Sequence, residues 1–77
     1  MNAKEARNLS IASGRNLPKY EQEKEGVQSA IDDAARSGRC WVDLHYMSIT
    51  NEAIIDELRA NEFILTFMDG RLHFVRW

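Results

Sequence analysis

Two kinds of apolar spacing divide the chain. From about Lys19 to Ser37 the residues Tyr20, Val27, Ala30, Ile31, Ala34 and Ala35 fall on one helical stripe. Glu21, Glu23 and Glu25 near its start and Arg36 and Arg39 near its end suit the helix dipole. Pro18 fits its first turn and Gly38 its stop. Cys40 to Tyr46 then switches to period two, with Cys40, Val42, Leu44 and Tyr46 on one side and Trp41, Asp43 and His45 on the other, which predicts a strand. A second helix follows, capped by Thr50. Ile49 and Ile54 form its hydrophobic staple, Ala53, Ile54 and Leu58 its buried stripe with Ile55 beside them, and Asn61 ends it in the left-handed conformation.

The C-terminal segment carries the sharpest signal. Phe63 to Met68 and Arg71 to Trp77 alternate on either side of Asp69-Gly70, the residue pair a two-residue type I′ turn needs because both central positions take positive φ. That turn predicts a hairpin with Met68 opposite Arg71, Phe67 opposite Leu72, Leu65 opposite Phe74 and Phe63 opposite Arg76. At the other end, Asn2-Ala-Lys-Glu5 reads as a capping box for a short helix, with Ala3, Ala6 and Leu9 on one side and Ser10 to Leu17 as connector.

These elements predict an α+β fold in the order α-α-β-α-β-β. It has two layers: a three-stranded sheet with a C-terminal hairpin, packed by two main helices plus a short N-terminal helix. Residues 1–77 make one domain, with 1–18 as N-terminal helix and connector and 19–77 as an α-β-α-β-β unit. The first and second strands, joined through a helix, are expected to run parallel.

In the regular register Phe63, Leu65, Phe67, Leu72 and Phe74 share a core face, extended by Val42 and Leu44. The opposite face then holds Trp41, Asp43, His45, Ile64, Thr66, Met68, Arg71, His73, Val75 and Trp77. An open antiparallel face is ordinarily polar. Contiguous apolar surface with Trp, Met and Arg is the composition of a contact site. Trp41, Ile64, Met68, His73, Val75 and Trp77 are therefore the expected interface, unless a helix covers this face and makes a third layer.

Length, charge and cysteine content narrow the function. Seventy-seven residues bury a modest core, about 60% of the surface of the unfolded chain. Ten basic against twelve acidic residues leave a charge of −2, with no basic field to hold nucleic acid by charge alone. The lone Cys40 excludes an internal disulfide, fits a reducing compartment and is expected as a buried thiol. No apolar run approaches the ~20 residues of a membrane span, and the N-terminus lacks a signal-peptide core.

No catalytic set emerges. Ser48 and Thr50 read as caps, Asp32-Asp33 as a solvated helix face, and the four glycines match no phosphate-binding loop. Asp43, His45 and His73 are ligand types acceptable to zinc or iron, but they lack paired spacing, so no cofactor is assigned. The expectation is a non-enzymatic interaction protein without a membrane role, either a homo-oligomer or a partner of another protein. The alternative is a small ligand-binding or inhibitory module that titrates a host factor, a nucleotide signal or a nucleic acid through Arg39, Trp41, His73 and Trp77.

The stretch from Ile31 to Trp77 resembles a pattern in small proteins encoded by tailed bacteriophages and prophages. The matching pieces are Ala34-Ala35 with Gly38, Val42 to Leu44, Ile54 to Leu58, Asn61 to Phe63 and the closing Arg76-Trp77, with a similar opening over Asn2 to Ala6. This chain has Asn61-Glu62 where that pattern often carries a glycine. The resemblance implies a phage viral protein with an α+β fold, found in the host cytoplasm or the virion, and transfers no site residues.

Overall fold

The computed structural model describes residues 1–77. The order is α1 (Ala3–Arg15), α2 (Tyr20–Arg36), β1 (Trp41–Asp43), a 3₁₀ turn (His45–Met47), α3 (Glu52–Ala60), β2 (Ile64–Met68) and β3 (Arg71–Arg76). The α+β class and element order are those expected. No helix is long and apolar enough to cross a membrane.

Asn2 starts α1 as foreseen, its side chain accepting from the Glu5 amide at 2.9 Å. The helix then runs to Arg15, through residues expected as connector, because its second half docks on α3. Ile11 packs against the core and Gly14 is buried, while Leu9, placed on the inner stripe by spacing alone, is exposed. The cap of α3 is Asn51, one residue after the Thr50 expected. Its side-chain oxygen accepts from the Ala53 amide at 2.9 Å while its amide donates to the Gly14 carbonyl at 2.9 Å. One buried side chain thus caps α3 and fastens α1 to it. The left-handed residue after α3 is Glu62 at φ 68°; Asn61 stays at φ −94°.

Glu57 of α3 gathers the helices on their polar side. Tyr20 donates its hydroxyl to this carboxylate, and Arg15 and Lys24 each lie 3.9 Å from it. The hydrogen bond to Glu57, followed by burial and by the negative charge beside it, raises the Tyr20 pKa above its ordinary value of 10.0.

β1 is shorter than the alternation suggests. After Asp43 the chain turns: the Asp43 carboxylate accepts from the His45 amide at 2.8 Å, and Leu44 donates to the His73 carbonyl at 2.7 Å. Leu44 remains fully buried, but Tyr46 swings out and is exposed. Cys40, expected to be buried, is exposed. The sheet order is β1-β3-β2, and both pairings are antiparallel. β1 and β2 therefore run parallel, with β3 between them.

The Asp69-Gly70 turn holds as foreseen, at φ 53° and 75°. Met68 faces Arg71 and Phe67 faces Leu72. Beyond these two pairs the register shifts by one. Thr66 faces Phe74, Leu65 faces Val75 and Ile64 faces Arg76, leaving His73 as the extra residue of a β-bulge. The bulge reverses the faces of everything after it. Leu72 and Val75 both point at the helices and are fully buried; Phe74 points away. The core collects Val27 and Ala34 from α2, Val42, Leu44 and Ile49 from the β1 region, Ile54 and Leu58 from α3, and Leu72 and Val75 from β3.

Candidate functional site

The helix-free face of the sheet is built by three rows of residues set directly opposite one another. Trp41, Arg76 and Ile64 form one row; Asp43, Phe74 and Thr66 form the next; Arg71 and Met68 pair at the hairpin end. No helix covers it: Trp41 is 44% exposed, Ile64 54% and Met68 48%.

The bulge gives this face its distinctive feature, a continuous line of four rings. The Trp41 indole meets the Phe74 ring edge-on, with centroids 5.8 Å apart and planes at 76°. Phe74 and His73, adjacent in the bulge, turn to the same side and stack at 4.1 Å and 15°. His73 lies 5.3 Å from His45. At the Trp41 end the Arg39 guanidinium sits 5.6 Å from the indole centroid, a cation–π contact. At the other end Arg71 reaches the Ser48 hydroxyl at 3.4 Å.

Of the six expected interface residues, Trp41, Ile64, Met68 and His73 lie on this face. Two do not. Val75 is fully buried in the core, and Trp77, in step with Val75, turns to the helix side, where Phe63 meets it edge-on at 6.0 Å. The same reversal removes Trp77 from the alternative ligand set, leaving Arg39, Trp41 and His73 together. Phe74, expected in the core, takes the place these two vacate. The one local hint of this exchange is the adjacent apolar pair Phe74-Val75, which breaks the alternation after Leu72.

Asp43, His45 and His73 do meet. The His73 Nε2 is 3.8 Å from the Asp43 carboxylate, and the His45 ring lies 5.3 Å from that of His73. No group of three His, Cys, Asp or Glu side chains is arranged to hold a metal ion. Asp43 instead ends β1 by accepting from the His45 amide.

A separate groove of about 510 Å³ lies between α2 and α3, floored by Val27, Ile31, Ile54, Leu58 and Phe63 and edged by Lys24, Asp32 and Glu57. It is on the helical side and includes none of the residues expected at the interface or in the alternative ligand set. Compared with known proteins, the chain matches no family model, no curated protein and no solved structure.

Proposed function

We propose that this protein is a non-enzymatic binding module whose working surface is the helix-free face of its sheet. The observation that carries the reading is the exposure of Trp41, Ile64 and Met68 on one face that an isolated domain would ordinarily keep polar. In one form of this reading the partner is a second copy or another protein, with the chain acting as an accessory or virion component of a phage. The line of rings flanked by arginines favours a second form, in which the face takes a ligand with stacking surfaces and negative charge.

The face itself is tested by acrylamide quenching of Trp41 in a Trp77→Phe background, followed by light scattering across a micromolar concentration series. Trp41 is expected to be accessible to quencher in the monomer, and to become shielded when a partner or second copy binds. A Trp41 shielded in the monomer overturns the reading, because the face is then already occupied by the chain's own structure.

A further inference from the structure

Charge is unevenly distributed over the fold. From Glu52 to Glu62 the chain carries four acidic residues and one basic, Arg59, a net of 1 − 4 = −3. The helix-free face carries Arg71 and Arg76, with Arg39 against Trp41 at its edge, opposed by Asp43 on the face and Asp69 in the hairpin turn, a net of 3 − 2 = +1 with both histidines neutral. α1 is also positive, with Lys4, Arg7 and Arg15 against Glu5, but it carries no aromatic residue, whereas the sheet face sets its arginines beside Trp41 and Phe74.

We infer that the helix-free sheet face binds single-stranded nucleic acid, a base stacking on Trp41 beside the Phe74–His73 pair and the phosphates meeting Arg39, Arg76 and Arg71. The inference rests on the proposal that this face is the working surface, and names its partner. Single strands present what a duplex hides: unstacked bases with free π-faces, which aromatic side chains and guanidinium planes accept without regard to sequence. Trp41 is the strongest platform because its indole is more accessible than the Phe74 and His73 rings and is already backed by Arg39. Arg76 stands beside it in the same row, spaced for a phosphate next to a stacked base. A protein partner would use Trp and Met equally well. Protein interfaces are rich in Arg as well, but guanidinium groups set beside an exposed indole match the alternating phosphates and bases of a single strand, and that complementarity favours the polyanion.

Fluorescence anisotropy with a labelled single-stranded oligonucleotide of about 12 nucleotides, within the site sizes of such surfaces, is the test. Three phosphate contacts give a slope of log affinity on log salt of about −2, or about twentyfold weaker binding between about 50 and about 200 mM salt. Trp41→Ala is expected to weaken binding about tenfold. Arg76→Gln should lower the slope by about 0.7, and Lys4→Gln on the far helix should change nothing. Circular dichroism confirms that each variant is folded. No binding at about 50 mM salt overturns the inference. So does binding that Trp41→Ala and Arg76→Gln leave unchanged, or equal affinity for duplex, which offers no free bases. If oligonucleotide fails while Trp41 becomes shielded by self-association, the inference falls and the wider reading of the face stands. If Trp41 is shielded in the monomer, both fall.

Discussion

Replacing glycine by alanine inside a helix is ordinarily stabilising, by about 1 kcal/mol, because alanine loses less chain entropy on folding. Gly14, in the last turns of α1, is expected to do the opposite. A Cβ there would overlap the Asn51 side-chain oxygen and sit 3.2 Å from its Cγ and 3.3 Å from the Ala53 Cβ. Asn51 cannot step aside without surrendering bonds, since it holds the Ala53 amide and the Gly14 carbonyl at 2.9 Å each. Losing the cap costs about 1 kcal/mol. Leaving a buried amide side chain poorly partnered costs a further 1–3 kcal/mol or so. Against the propensity gain of about 1 kcal/mol, Gly14→Ala should destabilise by about 2 kcal/mol, lowering Tm by about 10 °C for a chain this size. The control is the same change in an Asn51→Ala background, where the blocking side chain is gone and Gly14→Ala should become neutral or stabilising. Urea and thermal unfolding of the four proteins, followed by circular dichroism, close the cycle. A Gly14→Ala that raises Tm in the parent chain, or has the same effect in both backgrounds, refutes the coupling of α1 to the α3 cap.

Tyr20 gives the fold an alkaline limit. Its pKa is raised in the folded state, so the unfolded chain loses the phenolic proton first, and stability complete below pH 10 falls as pH rises toward the folded value. Tyr20→Phe should remove that alkaline slope and cost about 1.5–3 kcal/mol at neutral pH, with urea titrations at several pH values as the measurement. Glu62 holds φ 68° without being glycine, so Glu62→Gly should stabilise by about 1 kcal/mol in thermal melts. The bulge predicts opposite fates for two residues once assigned to one surface. Val75→Asp places an unpaired charge in the core and should prevent folding, whereas Trp41→Asp should leave a folded protein, both read by far-ultraviolet circular dichroism.

Much of the architecture was legible because its signals are local. The Asp69-Gly70 turn, the capping oxygen of Asn2, and the stripe of Tyr20, Val27 and Ala34 each announce an element through a few neighbouring residues. The candidate face was only half legible, for a reason that lies outside any short window. A turn fixes register near itself, and the shift at His73 occurs beyond it. There β3 must also serve the chain on its other side, donating the Leu72 amide to Ile49 at 3.0 Å and accepting from Leu44 at 2.7 Å. Phe74 and Val75 are both apolar, so either can satisfy the core, and the pattern alone does not say which turns inward. The same applies to Tyr46, whose alternation continues past the point where Asp43 folds the chain away from the strand. The gathering of charge around Glu57 joins residues from three helices, and spacing within each of them carries no trace of it.

The claim that the sheet's uncovered side takes single-stranded nucleic acid is tested most directly by following backbone amide and indole NH resonances while oligonucleotide is added. The account predicts shifts concentrated on Trp41, His73, Phe74 and Arg76, with α1 and the α2–α3 groove silent. Shifts centred on Val27, Ile54 and Leu58, or none anywhere at saturating ligand, would contradict it.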